Sequence, residues 1–85
     1  GNIHVSNVAR GGSFQAVKDI TVYEAGSEVG TQTIFKTGAQ GKIIILKKAF
    51  DGVIINIGGV SQTIIEPIGP TEFFRKEQKL SFKKL

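Results

Sequence analysis

The chain has 85 residues, no cysteine, no methionine, no tryptophan and one histidine, His4, with a formal net charge of +4. That length supports a single domain, residues 1–85, burying roughly 60–65% of its unfolded surface. The composition excludes a disulfide framework, a thiolate metal site and a multi-histidine metal site, and it leaves a catalytic triad only one candidate base.

The charge is uneven. Residues 1–41 balance Arg10, Lys18 and Lys36 against Asp19, Glu24 and Glu28, so the surplus lies in the C-terminal half. There "RKEQKLSFKKL" carries five cations against one anion, and any anionic partner is expected at that end. No run approaches the ~18 apolar residues of a membrane-spanning helix. The start at Gly1-Asn2 without methionine fits removal of an initiator, or cleavage of a signal peptide or anchor. The second favours an exported location, periplasm or cell surface, over the cytoplasm.

Taken in chain order, Ile-, Val-, Thr- and Phe-rich segments separated by glycine breaks predict strands. "NIHVSNVA" alternates Ile3 and Val5 with His4 and Ser6, and Gly11-Gly12 ends it. "FQAVKDITVYE" follows, with Ile20 and Val22 opposing Thr21 and Tyr23, then "TQTIFKT" and "KIIILKKAF". Asp51-Gly52 and Gly58-Gly59 both predict two-residue hairpins, because a type I′ turn needs positive φ at both central residues.

Two such turns fix a register. Phe50 pairs with Val53, Lys48 with Ile55 and Leu46 with Ile57; beyond the second turn Ile57 pairs with Val60, Ile55 with Gln62 and Val53 with Ile64. The predicted core face is then Leu46, Phe50, Val53, Ile55, Ile57, Val60 and Ile64, with Ile45, Lys47, Ala49, Ile54, Asn56, Ser61, Thr63 and Ile65 opposite. Lys47 and Lys48 fall on opposite faces, Lys48 with its stem over Ile55 and its ammonium in water. "EPIGPT" breaks the chain near residue 70. Residues 71–78 read equally as helix or strand, and 79–84 as a Lys-rich closing strand that protects a sheet edge. Leu80 and Phe82 share a face and are expected in the core. No internal repeat or linker is visible.

Seven short strands with regular turns predict an all-β fold, a small two-sheet antiparallel β-sandwich, with a small OB-like β-barrel as the alternative. "GAQGK" fails as a phosphate loop, because the pattern needs glycine at Lys36 and Ser or Thr at Ile43. "GAQG" matches the clamp loop of KH RNA-binding domains, but that clamp needs flanking helices, so a turn is expected. The seven carboxylates have no metal-loop spacing and the hydroxyl residues no nucleophile motif. His4 reads as a surface side chain. No catalytic residue, metal or cofactor is predicted. The candidate surface for an anionic partner is Arg75, Lys76, Lys79, Lys83 and Lys84, interleaved with Phe73, Phe74 and Phe82.

The stretch "ITVYEAGSEVGTQTIFKTGAQGKIIIL", residues 20–46, runs strand, turn, strand, glycine-containing turn, strand. It resembles carboxypeptidase-regulatory-like and other transthyretin-like domains over about a third of the chain. "KTGAQGKIIIL" stands where the family has an acidic turn, without the usual Asp before the Gly. The resemblance implies a sandwich accessory module of an exported or surface protein and transfers no functional residues. The expected function is a non-catalytic binding or structural module contacting a protein or a glycan. The alternative is a small β-barrel binding single-stranded nucleic acid through its basic C-terminal half.

Overall fold

The computed structural model describes residues 3–9, 11–27 and 32–85. Its strands are β1 (Ile3–Ala9), β2 (Gly12–Gln15), β3 (Ile20–Ala25), β4 (Thr33–Thr37), β5 (Lys42–Ala49), β6 (Val53–Ile57), β7 (Val60–Thr63), β8 (Thr71–Lys76) and β9 (Lys79–Lys84). Among the described residues there is no helix. Two sheets form, in the orders β1-β3-β5-β8-β9 and β2-β4-β6-β7. The all-β, two-sheet architecture is therefore the one the β-branched composition predicts.

The pairing is mixed rather than antiparallel throughout. β1, β3 and β5 run parallel, as do β2, β4 and β6, whereas β7, β8 and β9 each pair antiparallel. The reason is that the first six strands alternate between the sheets. Each connection crosses the sandwich, so every second strand returns to the same sheet in the same direction. The chain thus winds through three stacked coils, β1–β2, β3–β4 and β5–β6.

Like residues fall on like from coil to coil: Ile3, Ile20 and Ile43; Val5, Val22 and Ile45; Ala9, Ala25 and Ala49; and in the second sheet Phe14, Phe35 and Ile55. This is an internal repeat that the sequence hides, because the steps between equivalent positions are unequal and each is matched by only a few residues. The backbone ladder continues around the corners. Gly26 N donates to Ala9 O (2.7 Å) and Phe50 N to Ala25 O (2.9 Å) at one side. At the other, Gly38 N donates to Val17 O (3.2 Å) and Gly58 N to Thr37 O (2.9 Å).

Asp51-Gly52 is one of these corners and not a hairpin. β5 lies between β3 and β8, and β6 between β4 and β7, so the pairs Phe50–Val53, Lys48–Ile55 and Leu46–Ile57 do not form. Gly52 N instead donates to Ile64 O (2.8 Å) and Ile64 N to Val53 O (2.8 Å). A turn dipeptide sets a local reversal only; which edges the flanking strands then meet is decided by the whole stack. Gly58-Gly59 is the predicted hairpin, with φ of 61° and 87° and the pairs Ile57–Val60 and Ile55–Gln62. Asn56 Oδ1 accepts from Gly59 N (3.1 Å) and fixes that turn.

Of the predicted core face, Phe50, Val53, Ile55, Ile57 and Ile64 are buried and Val60 is half-buried. Leu46 is 44% exposed, and Ile43 and Ile45 are buried in its place. A bulge explains the rest of β5: Val22 pairs with Ile45 but Glu24 with Lys48, so β5 carries one extra residue and Leu46 and Lys47 both turn outward. Lys47 Nζ sits 5.5 Å from the Tyr23 ring centroid and Lys48 Nζ 4.4 Å from that of Phe50. Lys48 thus borders the core beside Phe50, while Ile55 is paired with Phe35 and Gln62.

Residues 71–76 are strand, because Phe73 and Thr71 complete the core against Ile43 and Ile45. β9 is the predicted closing edge strand. The β8–β9 turn places Glu77 at φ 60°, a left-handed conformation that a side chain disfavours. Glu77→Gly is expected to raise the unfolding free energy by about 1 kcal/mol in urea titrations.

Candidate functional site

Between β7 and β8 the chain crosses from one sheet to the other as a strap, residues 64–70. Pro67 and Pro70 lack a donor for the ladder, so the strap's sheet pairing is a single antiparallel bridge, Ile68 with Ala49 of β5. The strap is tied at three points. Ala49 N donates to Ile68 O (3.0 Å) and Ile68 N to Ala49 O (2.9 Å), and Leu85 N donates to Pro70 O (3.1 Å). Thr71 Oγ1 donates to Gly69 O (3.0 Å).

Strap and β9 enclose a cleft of about 680 Å³. Its floor is Ile64 and Phe73, both core residues, and its walls are Ile65, Phe82 and Leu85, which are 82%, 57% and 59% exposed. Alternation along β9 predicts Phe82 in the core with Leu80. Leu80 does pack against it, but β9 is the last strand of its sheet, and Phe82 lies against the Phe73 ring, centroids 6.4 Å apart, with more than half of its surface exposed. Glu66 and Lys84 bring charges into a lining that also holds the polar Gln62, Thr63 and Thr71. Three large apolar side chains left in water around one concavity are what a binding surface presents.

The cations singled out in the sequence do not form one patch. The β8–β9 register, Lys76–Lys79, Arg75–Leu80, Glu72–Lys83 and Thr71–Lys84, puts Lys76, Lys79 and Lys83 on the outer face of the hairpin. Lys84 lies on the opposite face, at the cleft. Arg75 is occupied by structure: its Nε donates to Glu77 O (2.8 Å) and its Nη1 to Gly58 O (3.1 Å), so it ties the two hairpin turns together across the sheets. Arg75 and Lys83 also line a smaller cavity of about 330 Å³ beside Lys42, Glu72 and Phe74, where Lys42 Nζ lies 3.8 Å from Glu72 Oε2.

The "GAQG" segment is a turn, Gly41 N donating to Gly38 O (3.0 Å), and Asp19 Oδ1 accepts from the adjoining Lys42 N (2.9 Å). Among the described residues no three His, Asp or Glu side chains gather as a metal site. The His4 side chain, Arg10 and Glu28 lie outside the described residues. The cleft was signalled in the sequence only by Ile64-Ile65 running directly into "EPIGP", an apolar pair at the start of a segment that cannot join a sheet. Neither protein-family models nor curated proteins nor solved structures give a match to this chain.

Proposed function

We propose that the chain is a non-catalytic binding module whose cleft between strap and β9 holds an extended, apolar segment of a partner protein carrying a carboxylate. The observation that supports this is the ring of Ile65, Phe82 and Leu85 standing exposed over a floor of core residues. Such anchors contribute most of the free energy at protein interfaces when a partner covers them. Lys84 at the rim complements a carboxylate on the partner segment. A protein partner is favoured over a glycan because the large exposed side chains at the cleft, Ile65, Phe82 and Leu85, are apolar. It is favoured over single-stranded nucleic acid because the cations divide between two faces and no row of exposed aromatics accompanies them.

The test uses a random peptide library displayed on phage and selected against the intact protein. Enriched peptides should combine apolar residues with Asp or Glu, and an enriched peptide should shift the amide signals of Ile65, Phe82 and Leu85. Phe82→Asp and Ile65→Asp should each weaken its binding by about tenfold or more. Unchanged affinity in both variants overturns the reading. Binding of oligo-dT that collapses steeply with salt would establish the nucleic-acid alternative in its place.

A further inference from the structure

Both sheets end at the first coil, where β1 and β2 are edge strands. At the other end the edges are protected: β9 carries Lys79, Lys83 and Lys84, and β7 runs into the strap with Pro67 and Pro70. The sequences of β1 and β2 carry no such device. β1 is IHVSNVA and β2 is GSFQ, with no charged residue and no proline in either strand. Free strand edges of this composition template the addition of further strands, and soluble proteins leave them bare where an interface covers them.

The side-chain ladder also stops short. Phe35 is covered by Ile55 in the coil above, and Phe14 stacks on Phe35 with centroids 5.4 Å apart, yet Phe14 stands on the edge strand of its sheet and is only half-buried. The contact that joins one coil to the next is thus presented, unfilled, at this end.

We propose that the β1–β2 end is a self-association face on which a second copy of the chain docks about a two-fold axis. β1 and β2 each pair antiparallel with a strand of the partner, and both sheets continue across the interface. An occupant must offer two free strand edges about 10 Å apart, the spacing of packed sheets. A second copy has them at that separation by construction. Two-fold pairing uses the same surface on both chains and closes, so the uncharged edges do not propagate into fibres. The cleft lies at the far end of the sheets, so each copy keeps its own open, and the self-association stands or falls independently of what the cleft binds.

Sedimentation equilibrium of the full chain tests this. The expected species is a dimer of the 9.1 kDa chain. Ser13 and Gln15 are exposed, so charges placed there leave the fold intact, which circular dichroism and thermal melting will verify. Ser13→Lys with Gln15→Lys sets like charges against each other across β2–β2 pairing and should give monomer, as should Ser13→Glu with Gln15→Glu. Mixing the two double variants should restore a dimer containing one of each. A wild-type chain that stays monomeric to about millimolar concentration overturns the proposal, as does a dimer unaffected by both double variants.

Discussion

Phe35→Ala is expected to lower the free energy of unfolding by about 3–5 kcal/mol, read from the midpoint of urea denaturation. Phe35 is 0% exposed and sits at the centre of the second sheet, paired with Phe14 below and Ile55 above. Truncation empties a space walled by residues of all three coils, none of which can close it without leaving its own register. A chain of 85 residues has roughly 4–13 kcal/mol in total. The variant is therefore expected to be partly unfolded at room temperature or close to it. Phe14→Ala removes the same ring from the end of the ladder, where solvent already reaches it, and should cost clearly less. Equal costs for the two would mean that the coils do not stack as described.

Gly41→Ala is the second large effect, about 3 kcal/mol or more. A Cβ there would lie 2.1 Å from Lys18 O and 2.7 Å from Thr37 Cβ. Lys18 O belongs to the backbone of the preceding corner and cannot swing aside, so the two corners must separate. The bond from Lys42 N to Asp19 Oδ1 is strained with them. Gly59→Ala provides the comparison. It has positive φ (87°) but nothing within 4 Å of the added carbon, so only the conformational cost of about 1 kcal/mol applies. The contrast separates close packing of corners from backbone conformation, and thermal melts of the two variants side by side resolve it.

Local chemistry was legible in the sequence where it alone decides the outcome. Gly58-Gly59 makes its hairpin because positive φ at two successive positions admits little else, and Val53, Ile55 and Ile57 are inward because alternation has only two phases. The lysines of β9 mark an edge, as their spacing predicts. Pairing partners were not legible. Asp51-Gly52 carries the stronger hairpin signal, yet β5 meets β3 and β8, whose edges lie far off in the chain. The one-residue bulge in β5 then turns Leu46 and Lys47 outward together between the buried Ile45 and Ala49, which no alternation pattern shows. The cleft was hidden for a related reason. Phe82 reads as a core residue by alternation, and only the absence of a strand beyond β9 leaves it in water. The tail cations drew attention by number, but strand register divides them between two faces and Arg75 is held by the carbonyls of Gly58 and Glu77.

The winding of the first six strands also governs how this architecture scales. In a globule that grows in all directions, added residues enlarge the interior faster than the surface. Here each further turn of chain lies flat on the one before it, so the interior remains one sandwich thick and every turn depends on its immediate neighbours alone. Length can vary without redesign of the cross-section. The burden of solubility then falls wholly on the two ends, and among the described residues antiparallel strands close the end formed by β7, β8 and β9.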